Sequence, residues 1–394
     1  MKQTARIIST YSADVFGVCS ALYELGGMTV MHDASGCNGT YSTHDEPRWY
    51  DMESMVYISA LTEMEAVMGD DEKLVNDIAA AAADLHPRFI AIAGTPIPAM
   101  TGFDFEGAAA LIEQRTGIPA FGFATTGMNT YVRGASMALE AWARRFVRRD
   151  PQGGTGVARS WDTEGPAANI LGVTPIDFST NGTDASLRRF VEKAGFCVGS
   201  VWAMGSDPRE MEKAGEAKVN LVVSAAGLGA AAALREMFGT PYVICFPCGE
   251  KMQNAAAARL QEAAQKSTVS VCRSSLSGGK EGDVPPVAVI GEGVTSLGIA
   301  SAIEMETGLR TSVLCATECG SGILRDTDAV TPDEDDIIPQ LKGRSVIIAD
   351  PLYRPICPAE AKFISLPSEA FSGRMFRSEI PDLVPDLGYI TEKL

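Results

Sequence analysis

The chain has 394 residues, 46% of them apolar, with a formal net charge of −17. That length exceeds one hydrophobic core, so two or three domains are expected, and the acidic excess argues against a nucleic-acid backbone or an anionic membrane surface as partner. No run approaches the ~20 apolar residues of a membrane span, the opening MKQTARIIST lacks the apolar centre of a signal peptide, and nine cysteines in so long a chain do not make a disulfide scaffold.

In chain order, Val15 to Leu25 reads as a helix, Gly26-Gly27 as a turn, and Met28 to His32 as a buried strand. The strand runs into Ser35-Gly36-Cys37-Asn38-Gly39. A cysteine just past a strand's carboxyl end sits where open α/β sheets bind ligands, and its flanking glycines let the backbone come close to something bulky. The plainer reading is a Gly-rich surface turn with an incidental thiol. Asp71 to Leu85 is an Ala-rich helix, followed by the strand Arg88 to Ala93, the helix Asp104 to Thr116, the strand Ala120 to Ala124 and the long helix Tyr131 to Arg148. This alternation implies a parallel sheet wrapped by helices.

A polar, Gly-rich stretch from Asp150 to Pro166 reads as a linker. A second series follows, with strands Ile170 to Val173, Leu221 to Ser224 and Tyr242 to Phe246, and helices Asp184 to Ala194, Leu228 to Phe238 and Met252 to Gln265. The loop Ser274 to Pro286 opens a third, with strands Val287 to Ile290, Thr311 to Leu314, Ser345 to Asp350 and Phe363 to Leu366. The expected organisation is α/β: three Rossmann-like parallel-sheet domains, 1–150, 166–270 and 285–394, around a central cleft.

Cys37, Cys245, Cys248, Cys315, Cys319 and Cys357 all fall at or just beyond strand ends, whereas Cys19 and Cys197 have the placement of buried structural thiols. Thiols gathered at ligand-binding edges suggest a soft-metal site or redox chemistry. Cys245-Phe-Pro-Cys248 has the spacing of redox and metal pairs but also suits a pocket wall, and Cys315-Ala-Thr-Glu-Cys319 is a looser version of the same ambiguity. Gly291-Glu292-Gly293-Val-Thr-Ser-Leu-Gly298 follows a strand as a dinucleotide fingerprint would, yet Glu292 would set a carboxylate against a pyrophosphate, so a tight βα turn is the better reading. His32 either orients the Cys37 loop or is a satisfied core histidine. With His32, His44 and His86 the only histidines, a His-dependent hydrolase has little material.

Gly17 and its helix, Met31-His32 and Gly36-Cys37 resemble the opening of nitrogenase component 1 subunits, in which a similar helix, strand and loop supply an iron–sulfur ligand. The likeness continues through Leu61-Thr-Glu63 to Gly69, His86-Pro87 to Pro96, Thr101-Gly102-Phe-Asp104, Thr126-Gly127, Gly134, Val219 to Ser224 and Gly239-Thr-Pro-Tyr242, and so reaches about Gln265. Family members that build the interface cluster use three cysteines per subunit. Here those positions fall near Ala13, on Cys37 and on Pro96, so only Cys37 is kept. Asp14, beside the lost first position, is a candidate substitute ligand, as a carboxylate is in a nitrogenase-like chlorophyll-pathway reductase. Cys19 is a less obvious one. Ser224 stands where the dinitrogen-reducing enzyme has its cofactor cysteine, so no iron–molybdenum cofactor is expected.

The lack of an export signal and the reduced thiols it implies point to the cytoplasm, and the resemblance implies a nitrogenase-like reductase component with an iron–sulfur cluster at Cys37. It would be fed by an ATP-dependent iron–sulfur reductase protein and paired as a homodimer or with a related second subunit. A substrate or cofactor would lie in a cleft lined by Thr95, Thr126, Ser224, Cys248 and Cys319. The alternatives are a non-catalytic metallocluster carrier or assembly scaffold, and a metal-free binding protein.

Overall fold

The computed structural model describes residues 6, 7, 9, 13–34, 36, 38–148, 165–274 and 284–394. Cys37, nearly all of the linker expected at Asp150 to Pro166 and most of the loop Ser274 to Pro286 lie outside the described residues. Among the described residues the chain builds three sheets, every strand pair in them parallel, which is the α/β class expected.

The first sheet contains β1 (Met28–His32), β2 (Val56–Ile58), β3 (Ile90–Gly94) and β4 (Ala120–Phe123), ordered β2-β1-β3-β4. Its helices are α1 (Asp14–Leu22), α2 (Glu63–Met68), α3 (Asp71–Leu85), α4 (Pro96–Thr101), α5 (Phe105–Thr116) and α6 (Tyr131–Phe146). The second contains β5 (Ala167–Val173), β6 (Cys197–Ala203), β7 (Val219–Val222), β8 (Tyr242–Ile244) and β9 (Ser270–Val271), ordered β6-β5-β7-β8-β9. Its helices are α7 (Pro175–Phe178), α8 (Thr183–Lys193), α9 (Pro208–Met211), α10 (Leu228–Phe238) and α11 (Glu250–Lys266). The third contains β10 (Val287–Gly291), β11 (Thr311–Cys315), β12 (Ala329–Val330), β13 (Val346–Ala349) and β14 (Lys362–Ser365), ordered β12-β11-β10-β13-β14, with α12 (Gly293–Thr307) as its first helix.

Every residue of β3, β5 and β10 is buried, because helices cover both faces of a parallel sheet and leave no polar side for alternation to mark. Helix ends follow side-chain chemistry. Asp104 accepts the Gly107 N–H at the start of α5, and Gly117, Gly239 and Gly308 take left-handed conformations that stop α5, α10 and α12. Strand β1 and helix α3 have the predicted limits, whereas α1 stops at Leu22 rather than Leu25. Strand β6 carries no clean apolar run, since Gly199 and Ser200 interrupt it. The Ser200 hydroxyl is instead satisfied internally, donating to Asn169 Oδ1 at 2.8 Å and accepting from Trp202 Nε1 at 2.7 Å.

One contact locks the first domain internally, and another sets it against the second. Helices α1 and α6 cross so tightly that a Cβ at Gly17 would lie 1.9 Å from the Tyr131 carbonyl oxygen, and one at Gly134 would lie 1.8 Å from that of Asp14. Arg48, 3% exposed, joins the segment between β1 and β2 to the second sheet. Its guanidinium donates to Glu46 Oε1 at 2.6 Å, to Glu24 Oε1 at 2.8 Å, and to the Ser20 and Ala203 carbonyl oxygens, each at 2.8 Å. The carboxyl-terminal segment then leaves the third sheet and packs on the second: Asn181 donates to the Ile380 carbonyl at 3.2 Å, and the Gly249 N–H to that of Val384 at 3.3 Å.

Removing Arg48 strands two buried carboxylates, so Arg48→Ala is expected to cost about 3–5 kcal/mol of unfolding free energy. Arg209→Ala, which breaks only an exposed pair with Asp207, is expected to cost less than about 1 kcal/mol. Urea unfolding of the two variants side by side checks the contrast; equal losses would show that the Arg48 cluster does not hold the domains.

Candidate functional site

The carboxyl ends of the second and third sheets meet around a cavity of about 70 Å³, large enough for a few waters or a small ligand. Phe178, Phe246, Ile299 and Phe371 give it apolar walls. Three carboxyl groups enter, each just past a strand end. After β5, the Thr174 side chain caps α7, accepting the Asp177 N–H at 3.1 Å and donating to Asp177 Oδ2 at 2.6 Å. The hydroxyl of Tyr131, at the first turn of α6, donates to Asp177 Oδ1. After β10, Glu292 caps α12: Oε1 accepts from Val294 N and Ala225 N, both at 3.0 Å, and Oε2 from Thr295 N at 2.8 Å. After β13, Asp350 accepts from Leu352 N, Ser368 N and Ser372 Oγ, each at 2.8 Å.

Burial pushes the Asp177 carboxyl up to about 7, and the facing Glu292 carboxylate adds to the effect. Burial likewise raises Glu292 and Asp350, against the pull of their N–H donors, and lifts the Tyr131 phenol well above its usual range. Two carboxyls facing one another in a place with little water do not both ionise readily, so one keeps its proton near neutrality. The site is therefore a sheltered carboxyl held by a phenol and a threonine hydroxyl, and its rise toward neutrality suits a general acid.

The five residues expected to line the cleft are not brought together. Thr95 ties β1 to β3, its hydroxyl donating to the His32 carbonyl at 2.9 Å and lying 3.1 Å from Asp33 Oδ1. Thr126 lies in the turn before α6, where its N–H donates to Asp14 Oδ2 at 3.0 Å. Ser224 is fully buried, and its hydroxyl donates to the Gly172 carbonyl at 2.6 Å. Cys248 is sealed at 0% exposure, and burial raises its thiol. Cys319 opens instead onto a separate groove beside α6. Asp177, Tyr131 and Asp350, which line the cavity, go unmarked in the sequence. Thr174-Pro-Ile-Asp177 after an apolar strand does carry a signal, the Ser/Thr-x-x-acid pattern of a capped helix start.

The candidate metal ligands are also placed. Asp14 uses its whole carboxylate inside the chain: Oδ1 accepts from Val15 N at 3.0 Å and Gly127 N at 2.8 Å, and Oδ2 from Thr126 N at 3.0 Å and Asn129 Nδ2 at 3.1 Å. Four donors fill the four lone-pair directions. Cys19 is 0% exposed in the α1 core, and burial raises its thiol, which opposes the thiolate a metal needs. As the chain is folded here, neither residue has a donor to spare for iron. Among the described residues no group of three or more His, Cys, Asp or Glu side chains is placed to hold a metal ion. His32 is a satisfied core histidine, its Nδ1 lying 2.8 Å from Ser59 Oγ; burial pushes its pKa down to about 4.

Residues 15–322 match the family model described as nitrogenase component 1 type oxidoreductase. Among curated relatives, a subunit of the light-independent protochlorophyllide reductase of Nostoc punctiforme is 26% identical over 187 residues, covering 46% of this chain and 36% of the relative. The corresponding protein of Prosthecochloris aestuarii is 28% identical over 165 residues, covering 42% and 29%. The matches thus span about a third of the length of these curated relatives. A solved structure of nitrogenase Cp1 at pH 5 superposes with a TM-score of 0.62 at 15% identity, over 93% of this chain and 85% of that one. This likeness bears on the fold alone.

Because the folded carboxyl of Asp177 titrates near 7 and an ordinary one near 3.8, the native state holds the extra proton between those values. Its contribution to stability therefore falls as pH rises through that window. Asp177→Asn is expected to flatten the slope, so that the variant loses less stability than the parent between about pH 5 and pH 8. Denaturant midpoints at the two pH values measure this; parallel losses would place the proton elsewhere.

Proposed function

The chain belongs to the nitrogenase component 1 type oxidoreductase family, and from that premise we propose that it is a nitrogenase-like reductase component. In this reading it takes low-potential electrons from an ATP-dependent iron–sulfur reductase partner and delivers them to a substrate or cofactor in the cavity between the second and third sheets. The observation that carries the reading is the buried Asp177–Tyr131 pair at that junction. Adding electrons to a substrate demands protons, and a carboxyl held up to about 7 where bulk water is scarce is suited to donate them. Thr174 holds the other Asp177 oxygen, so the acid's direction is fixed.

An iron–sulfur centre, when bound, supplies the one-electron transfers. Cys37 is the thiolate this chain would give it. With Asp14 and Cys19 committed elsewhere, the remaining ligands would come from a second copy or a related subunit. An exposed apolar face supports such pairing. Met64, Val67 and Met68 on α2 adjoin Ile97 and Met100 on α4, and Met128 follows Gly127, which packs on Pro96. Met100 is 87% and Met128 84% exposed, and contiguous apolar surface of this kind marks protein contacts.

An iron–molybdenum cofactor forms no part of this reading, since the Ser224 hydroxyl is engaged by Gly172. As folded, about 70 Å³ is well below the ~300–1,000 Å³ of sites for drug-sized ligands, so a small substrate fits and a tetrapyrrole would require the Leu366–Leu383 wall to move. The loss of two of the family's three cluster cysteines, near Ala13 and at Pro96, favours the second reading, a carrier or scaffold that hands a cluster on.

Iron and sulfide analysis of protein purified without oxygen tests both. Coloured parent protein and a Cys37→Ala variant that has lost most of its iron are expected. Reduction of the parent's visible absorbance by an iron-protein partner only when ATP is present separates reductase from scaffold. A colourless parent, or a variant with undiminished iron, would overturn the assignment of Cys37.

A further inference from the structure

Away from the acid cavity, two thiols come together at the start of α12. Cys315 is the last residue of β11 and is 0% exposed, whereas Cys319, at the end of the turn that follows, is half-buried. Both sulfurs crowd one face of Gly293: a Cβ built there would lie 3.2 Å from Cys315 Sγ and 2.6 Å from Cys319 Sγ. Each thiol acts on the other, Cys319 lowering Cys315 and Cys315 raising Cys319, and Cys315 Sγ donates to the Thr317 carbonyl oxygen at 3.3 Å. Residue 293 thus leaves room for the pair by being glycine.

Only one of the two sulfurs has an approach. Cys319 borders a groove of about 350 Å³, lined also by Arg133, Ser136, Met137, Leu228 and Glu318. Arg133 shares the groove with two carboxylates, Glu318, which accepts from Thr130, and Glu140, which pairs with Arg144, so its lining selects for size and access rather than for charge. The other close pair, Cys245 and Cys272, is 2% and 4% exposed and offers no such entry.

We propose that Cys315 and Cys319 form a two-electron dithiol/disulfide couple that exchanges with a small disulfide entering the groove at Cys319. Cys319, whose thiol the neighbouring Cys315 and burial raise, gives its proton to water and attacks one sulfur of the incoming disulfide; that S–S bond breaks, and the far half leaves as a thiolate that takes up a proton. Cys315 gives up its proton and attacks Cys319 Sγ, forming the internal S–S bond and expelling the second half. Two protein thiols are oxidised by two electrons, and one external disulfide is reduced to two thiols; excess external dithiol runs the steps backwards. Proximity favours the second step, because both sulfurs already crowd one face of Gly293 and Cys315 lies beside its target. The couple requires neither iron nor a protein partner, so it stands or falls apart from the function proposed above.

The test uses the full chain kept folded without oxygen, with oxidised glutathione as probe and peptide mapping as readout. The parent is expected to lose two thiols and two hydrogens of mass, recovered in one peptide linking Cys315 to Cys319 and reversed by dithiothreitol. Cys315→Ser is expected to stop at a glutathione adduct on Cys319, and Cys319→Ser to leave Cys315 unmodified. A parent that halts at the Cys319 adduct, a Cys319 that does not react while folded, or a link that forms only after unfolding would each overturn the proposal.

Discussion

The structure depends on where the carboxylate of Glu292 finds its hydrogen bonds. It is 4% exposed and no cation pairs with it among the contacts of the described residues; three backbone N–H groups hold it instead. Two of them open α12 and the third, Ala225, precedes α10 of the second sheet. The side chain that starts one domain's helix is therefore also a bond between domains, and helix starts favour negative charge. That bond fixes the distance across which Glu292 faces Asp177 and brings Gly293 against the two sulfurs. A neutral side chain of similar size would keep part of the geometry but not the electrostatic pressure on Asp177.

The turn from Thr126 to Tyr131 links the two halves of the functional reading. Its N–H groups and Asn129 hold Asp14 at the edge of the first sheet, and its last residue, Tyr131, holds Asp177 in the cavity. The tight crossing of α1 and α6 at Gly17 and Gly134 makes that turn rigid with respect to both. The outward-facing apolar surface and the inward-facing acid are thus ends of one stiff connection.

Much of this fold is legible in the sequence because buried parallel strands are short apolar runs stopped by glycine or a capping side chain, as at Met28 to His32 and at Gly291-Glu292. What escapes has a physical reason. Strands β2, β9 and β12 are too short to show a period, and β6 hides a buried serine whose partners, Asn169 and Trp202, are set by the tertiary fold. Among the site residues, Glu292 is legible as part of a βα turn, but only as a charge that excludes a phosphate. Asp177 looks like any turn residue, since nothing local reveals that Tyr131 and Glu292 will face it. The family likeness marks loops such as Thr95 and Ser224 but carries no information about which way their side chains point, and both turn inward to tie backbone together. Cys19 illustrates the same gap, for a thiol on the right helix is useless to a metal when it faces the core.

The wall formed by Leu366 to Leu383 comes later in the chain than either sheet it spans, and Asp382 fastens it to Thr183 and Ser186 of the second. The last residues of the chain thus complete the chamber by docking on a helix about two hundred positions earlier, so a change near the carboxyl end reaches the site as directly as one in either sheet.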